Sequence, residues 1–314
     1  MIKMPRKISS RPLDQELGFG KNVTTAGRMM NPDGRFNVER QYLSWWDNTY
    51  FYLVTMPWRY FFLLVFFCFL IINLLFAAIY ISIGIDQLSG IPSGTLWEQY
   101  AATFFFSTQT LTTVGYGQIS PEGFAANMVA SLESFSGLLA FALISGLLYG
   151  RFSRPSAKVI FSDHILVAPY RNSRGLMFRM GNARKSELIE TEVQVILALN
   201  QTDEEGEVVR KFYNLDLEFA KVSFFALSWT VVHDLTEKSP LWGFSGEELQ
   251  EANAEFMVLL KGTDEANQQL VHARHSYVAG DMVWNARFRP VITRNARGLP
   301  HVLVRYIDLH EVLP

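Results

Sequence analysis

The sequence predicts a two-part protein, an α-helical membrane module followed by an all-β domain. Three observations carry that prediction. Between Tyr60 and Gly150 there is not one Lys or Arg, although the 314-residue chain holds 28 of them. Two long apolar stretches fall inside that region. From Ser156 onward, short runs rich in β-branched and aromatic residues are separated by polar turns, the texture of an all-β sandwich. The domains drawn from this are an N-terminal segment over 1–41, an interfacial slide helix over 42–56, a transmembrane module over 57–152 and a β-sandwich over 153–314.

Each membrane element has its own reason. Residues 60–85 carry no charge before Asp86, and as a helix they reach roughly 39 Å against a hydrocarbon core of about 30 Å. An outer helix over 57–85 follows. Residues 124–150 are less apolar and include Asn127, Glu133 and several Ser and Gly. A helix of that character faces protein or water over part of its surface, so an inner helix is placed at 121–152. Between them, 96–112 is helix-like but too short to span, and it runs into Thr113-Val114-Gly115-Tyr116-Gly117. Irregular backbone survives at membrane depth only where protein or a water-filled cavity satisfies it, so 96–117 reads as a re-entrant pore helix and strand.

Flanking charge orients the spans. Arg35, Arg40 and Arg59 precede the first, Arg151, Arg154 and Lys158 follow the second, and the loop between them has only acidic residues. Both termini are therefore expected in the cytoplasm of a multi-pass protein of the cell (inner) membrane. The polar N-terminus predicts no cleavable signal peptide. Within 42–56, Leu43, Trp46 and Tyr50 recur at helical spacing; a helix lying in the interface and an extension of the first span both fit.

Composition closes off other classes. A net charge of −2 gives nucleic acid no footing, and the single cysteine, Cys68, excludes an internal disulfide and a multi-cysteine zinc site. His272 and His275 lie three apart in a stretch that reads as strand, and are taken as structural. With no glycine-rich phosphate loop or nucleophile elbow, an enzyme is not predicted and no cofactor is called for. A membrane-anchored sensor is the rival reading, but an anchor needs no re-entrant loop. A two-span channel with a nucleotide- or calcium-binding tail would require an α/β domain that the sequence lacks.

The residues that point to chemistry are Thr113 to Gly117. An ion crossing a bilayer sheds its water, and stacked backbone carbonyls with the Thr113 hydroxyl can replace those oxygens for K+. Aiming successive carbonyls one way demands backbone angles that L-residues resist, hence glycine at 115 and 117. One chain supplies one strand of such a cage, so a closed assembly of four identical copies is required. K+ in this filter is the only metal expected.

The order of motifs resembles the inward-rectifier potassium channel family, especially its bacterial branch. FFFSTQTLTTVGYG and YGRFSRPSAK carry the pore; Asp33 to Val38, MFRMGNAR over 177–184, SWTVVH over 228–233, SPLWG over 239–243 and ARHSY over 273–277 carry the rest. The resemblance implies a tetramerising cytoplasmic immunoglobulin-like sandwich that extends the pore, and a gate where the inner helices converge. The gate position falls on Tyr149, with an interfacial anchor as the alternative. Gly137 matches the bending glycine, or serves helix packing. The constriction at the top of the sandwich corresponds to a loop at 262–266, beginning at Gly262. Departures bear on block by internal Mg2+ or polyamines: Phe141 stands where strong rectifiers place an acid, and Glu207 is retained in the cytoplasmic pore while Lys261 reverses a charge, so weak rectification is expected. Gln109 and Thr112 support the filter, where Gln109 and Gln118 can brace only through hydrogen bonds. Glu133 reads as a hydrogen-bonding group behind the filter or as a participant in conduction. Arg59, Arg151, Arg154 and Lys158 are the residues expected to meet anionic lipid, each worth about 1 kcal/mol near the surface.

Overall fold

A computed structural model describes residues 27–39, 48–153, 157–184, 186–202, 206–294, 298 and 300–314. The chain divides into two compact units, 41–154 and the remainder, with the N-terminal 1–40 grouped with 155–314.

The first unit is helical. Helix α1 (Thr49–Thr55) ends at Met56, and α2 (Trp58–Ile83) follows after Pro57, whose fixed φ suits a helix start. Residues 42–47 of the slide helix lie outside the described residues. The short strand β1 (Leu88–Ser89) leads to α3 (Leu96–Leu111), opened by a capping box between Thr95 and Glu98. Strand β2 (Ser120–Pro121) pairs antiparallel with β1, and α4 (Phe124–Phe152) closes the unit. The outer helix is thus slightly shorter than 57–85. The inner helix starts three residues later than 121, because Ser120 and Pro121 pair with β1. Helices α2 and α4 are each long and apolar enough to cross a bilayer. Along α2, Phe62, Phe66, Ile71 and Leu75 lie exposed on opposite sides of the helix in the single chain, apolar surface that lipid or a neighbouring copy would cover.

The second unit is a sandwich of two five-stranded sheets. Its strands in chain order are β3 (Val159–Phe161), β4 (Ile165–Tyr170), β5 (Ser173–Asn182), β6 (Leu188–Thr202), β7 (Val208–Asn214), β8 (Lys221–Phe225) and β9 (Ser228–Asp234). After helix α5 (Gly246–Glu251) come β10 (Glu255–Asp264), β11 (Gln269–Val278), β12 (Met282–Trp284), β13 (Ala286–Phe288), β14 (Ile292–Arg294), β15 (Pro300–Val302) and β16 (His310–Val312). One sheet runs β11-β10-β6-β7 with β8 also on β6; the other runs β12-β4-β5-β3 with β9 also on β5. Two small hairpin-like pairs, β13 with β16 and β14 with β15, complete it.

Strand alternation makes the core. Val193, Val195, Leu197 and Leu199 of β6 point inward against Leu176, Phe178 and Met180 of β5, with Phe256, Val258 and Leu260 of β10 beside them. The opposite face of β6 is covered as well. Ile196 and Ala198 pack with Met257, Phe212 and the N-terminal Met29 and Met30, which explains why VILAL is a continuous apolar run and not an alternating one. The segment 27–39 therefore belongs to the sandwich and is no free-standing tail.

Two expectations fail here. The β-branched, aromatic-rich run HVLVRYI over 301–307 predicts a strand by composition, but the strand ends at Val302 and Val304–Tyr306 forms a 3-10 turn. Residues 262–264 are not loop: they finish β10, and only 265–268 turn. Pairing continues to Asp264 because a bulge between Lys261 and Thr263 absorbs the irregularity.

His233 of β9 is buried; its Nδ1 lies 2.6 Å from the Asp216 carbonyl and its Nε2 2.7 Å from Ser239 Oγ. Burial holds this imidazole below its ordinary pKa, outweighing the Asp216 carbonyl. The neutral ring is then the folded form, so its contribution to stability is complete above pH ~6.5 and is lost as pH falls below it. Thermal unfolding followed from pH 8 to 5 is expected to show this loss, and His233→Gln to flatten it; an unchanged acid limb in the variant would refute the assignment.

Candidate ion-conduction pathway

The re-entrant loop is built from the C-terminus of α3. The last carbonyls of a helix lack intrahelical partners and carry partial negative charge. Here the chain folds back onto them: Thr113 N donates to Thr110 O at 3.1 Å, Val114 N to Gln109 O at 2.8 Å and Gly115 N to the same oxygen at 3.4 Å. In a trans peptide the C=O points opposite to the N–H. Three successive amides aimed at the helix end thus turn the carbonyls of Thr112, Thr113 and Val114 away from it, all in one direction.

Backbone angles show how this is achieved. Thr113, Gly115 and Gly117 have φ of 59°, 52° and 81°, while Val114 and Tyr116 between them are not left-handed. A strand with uniform angles alternates its carbonyls; one with left-handed residues at every second position aligns them. Gly115 and Gly117 have open space where a Cβ would sit, so only the angle demands glycine. Thr113 takes the same angle with a β-branched side chain, a conformation costing of order 1–3 kcal/mol that the surroundings must impose.

Behind this strand, a buried polar network joins three helices. Glu133 of α4 is fully buried. One of its carboxyl oxygens accepts from Tyr80 OH of α2 at 2.7 Å, and the other accepts from Ser107 Oγ of α3. Asn73 Oδ1 lies 3.0 Å from the same Ser107 oxygen, and Asn73 Nδ2 donates to Phe69 O at 2.7 Å. The Tyr80 ring packs edge-on against Phe106. Both carboxyl oxygens of Glu133 are thus engaged in holding the pore helix. Tyr80, Asn73 and Ser107 escaped sequence reasoning; polar residues inside otherwise apolar helices were the available signal.

Gly137 sits where α4 crosses the end of α3. A Cβ there would lie 2.0 Å from the Leu111 carbonyl oxygen, so the glycine lets the inner helix touch the pore-helix backbone. Helix α4 runs continuously from Phe124 to Phe152 through this position. Thr112 Oγ1 donates to Thr108 O at 2.6 Å. The half-buried Gln109 serves through its carbonyl, and no hydrogen bond joins the side chains of Gln109 and Gln118. Tyr116 is exposed on the single chain.

With this geometry in hand, comparison with known proteins is decisive. Residues 159–313 match the model of the inward rectifier potassium channel C-terminal domain, and 67–153 match an ion channel model. The inward rectifier potassium channel Kirbac3.1 of Paramagnetospirillum magnetotacticum is 37% identical over 269 residues, covering 85% of this chain and 90% of that one. The chain belongs to the inward rectifier potassium channel family. The ATP-sensitive inward rectifier potassium channel 12 of Gallus gallus is 30% identical over 317 residues, covering 91% of this chain and 73% of its own. The protein is a potassium channel with its pore in a membrane module, and it is not an enzyme.

The channel's other candidate residues are placed as follows. Phe141 and Tyr149 are 73% and 75% exposed on the single chain; eight residues apart, with Ser145 between, they share one face of α4. Arg59 and Lys158 are exposed, the former over the Tyr60 ring. Arg154 lies outside the described residues. Arg151 departs from the lipid-facing expectation: it is buried, donating to the carbonyls of Leu53 and, at 2.7 Å, Met56. Its guanidinium also lies over the rings of Trp58 and Phe61 at 4.4 and 4.5 Å. The last carbonyls of α1 need donors, and a planar guanidinium over aromatic faces meets both demands. Arg151 is thus a clamp between the inner helix and the α1–α2 corner.

In the sandwich, Lys261 pairs with Glu192 across β10 and β6 at 2.8 Å, so its charge is offset locally. Glu207 is exposed. Gly262 permits the bulge to approach Thr191, whose Oγ1 would be 2.8 Å from a Cβ. Asp264, almost fully buried, is held by Arg184 from the MFRMGNAR stretch. That stretch is legible as a motif, but its task of anchoring the end of β10 is not. His272 and His275 both lie on β11; His275 Nδ1 bonds the Pro32 carbonyl at 2.7 Å and its ring stacks on Phe161.

Proposed function

We propose that four copies of this chain surround a common axis, with Thr113 to Gly117 of each forming a K+-selective filter. K+ ions held by those carbonyls are the only bound species the conduction reading needs. The observation that carries it is the direction of the 112–114 carbonyls, turned uniformly away from α3 by the amides that bond its end. Four strands so aimed give stacked oxygen rings that replace the hydration shell, and the α3 C-terminus adds roughly half a negative charge towards the axis.

The unpartnered face of α4 with Phe141 and Tyr149 is read as lining the path below the filter, with Tyr149 as the gate. Gly137 serves helix packing in this reading, and Glu133 holds the pore helix. Segment 27–39 shares a core with β10 and β6, so both flanks of the membrane module lie on one side and the chain between crosses an even number of times. Positive flanking charge makes that side the cytoplasm, with the channel in the cell (inner) membrane. Anionic lipid modulates the channel through Arg59 and Lys158, without Arg151. Phe141 in the cavity and the Lys261–Glu192 pair leave little net negative charge for internal Mg2+ or polyamines, so rectification is weak.

The test is 86Rb+ uptake into liposomes of mixed neutral and anionic lipid carrying the purified protein. Barium-sensitive uptake that K+ competes and Na+ does not, with weak block by internal spermine, is expected. Uptake indifferent to Na+ would mean the carbonyls do not form the filter; steep spermine-dependent rectification would overturn the reading of Phe141 and Lys261.

A further inference from the structure

The sandwich contains a cluster of metal-ligating side chains that conduction does not use. His164 lies in the bend between β3 and β4, Asp308 in the turn before β16, and His310 at the start of β16. One donor atom from each falls within 4.8 Å of the other two. These are the only three such groups to converge in this way among the described residues.

Their supporting bonds leave donors free. Asp308 Oδ1 accepts from the His164 backbone amide at 2.9 Å, which orients the carboxylate. Its Oδ2 lies 2.7 Å from His164 Nδ1. His310 Nδ1 is 2.8 Å from the Asp308 carbonyl; a carbonyl only accepts, so Nδ1 carries the proton and Nε2 keeps the lone pair. A ligating histidine whose other nitrogen donates to a backbone carbonyl is the usual support around a metal. The Ser162 hydroxyl bonds the His164 carbonyl at 2.8 Å and steadies the bend. The two imidazoles face each other at 5.2 Å between centroids and 62° between planes. The side chains of His164 and Asp308 are 41% and 26% exposed, so an ion can reach them from solvent.

We propose that His164, Asp308 and His310 bind one divalent transition-metal ion of the Zn2+ class, with solvent in the fourth position. Two imidazoles and a carboxylate suit such an ion better than Mg2+ or Ca2+, which prefer oxygen donors. Tetrahedral bonds of about 2.0–2.1 Å place donors about 3.3 Å apart, so the site needs only side-chain rotation. The ion takes the place of the proton between His164 Nδ1 and Asp308 Oδ2, and that proton moves to His164 Nε2. The ion fastens β16 to the start of β4, joining positions 144 residues apart in sequence.

Isothermal titration of the purified full-length channel, stripped with chelator, with ZnCl2 tests this. One Zn2+ per chain is expected, together with a rise in the thermal unfolding midpoint. Supporting residues alone change metal affinity by about 10–100-fold, so His310→Ala and Asp308→Asn should each weaken binding by at least about 100-fold. His272→Ala, altering an exposed histidine on β11, should leave it unchanged. Co2+ substitution should give visible tetrahedral absorption in the parent and not in His310→Ala, a readout independent of folding stability. Absence of stoichiometric binding, binding that survives His310→Ala, or binding abolished by His272→Ala would each overturn the proposal.

Discussion

Glu255→Ala is expected to destabilise the sandwich by about 3–5 kcal/mol, the range for breaking a buried ion pair by removing one partner. Glu255 accepts from the amides of Met29 and Met30, both at 2.8 Å, and from Arg210 Nη2 at 3.0 Å. The side chains of Glu255 and Arg210 are each 1% exposed. Alanine leaves a buried guanidinium without its counter-charge and two amides without an acceptor, which places the effect at the upper end of that range. Arg210 keeps only Asn200 Oδ1 and the Asn253 carbonyl. Chemical denaturation of the purified channel should show a lower midpoint. Limited proteolysis should cut within 27–39 before any loss of the sheets. An unaltered midpoint with 27–39 still protected would sink the assignment.

The second large effect is expected from Gly137→Ala. The added methyl would sit 2.0 Å from a backbone oxygen, the Leu111 carbonyl, and 3.2 Å from Leu111 Cα. No rotamer relieves a clash with backbone, so either α4 or the end of α3 must move. Overpacking of this kind costs about 1–3 kcal/mol or more. The effect on the proposed filter is larger, because Leu111 is only two residues before Thr113, and the amides of 113–115 take their direction from carbonyls 109 and 110. Barium-sensitive, K+-selective uptake should fall at least about tenfold with the protein still inserted. Gly146→Ala, where a Cβ meets nothing within 4 Å, is the control on the same helix. Equal activity of Gly137→Ala and the parent would remove close packing as the reason for this glycine.

What the sequence disclosed follows from the range of the forces involved. Helices α2 and α4 are legible because a bilayer demands long apolar stretches, and the bend of 113–117 because left-handed backbone at 115 and 117 demands glycine. The sandwich strands are legible where only one face is buried. The reading failed where a side chain's partner is distant in the chain. Arg151 looks like any basic residue at a membrane exit; only the corner at Leu53 and Met56 reveals its clamp. Met29 and Met30 gave no local sign of belonging to a core closed by Met257. The strand reading of 301–307 mistook β-branched composition for pairing, whereas a turn at Val304–Tyr306 intervenes. Asp308 and His310, two positions apart, share a signal too short to notice without His164.

The N-terminal segment and the sandwich are separated in the chain by the whole membrane module, yet they share one core. During synthesis residues 27–39 leave the ribosome long before β6 and β10 exist, and the spans are made in between. The sandwich therefore cannot finish folding until both helices between its two parts have been made. Until 27–39 is seated, Ile196, Ala198 and Met257 stand uncovered, an apolar patch of the kind that chaperones and proteases bind. Covering β6 with a segment from the other end of the protein thus ties maturation of the domain to completion of the whole chain.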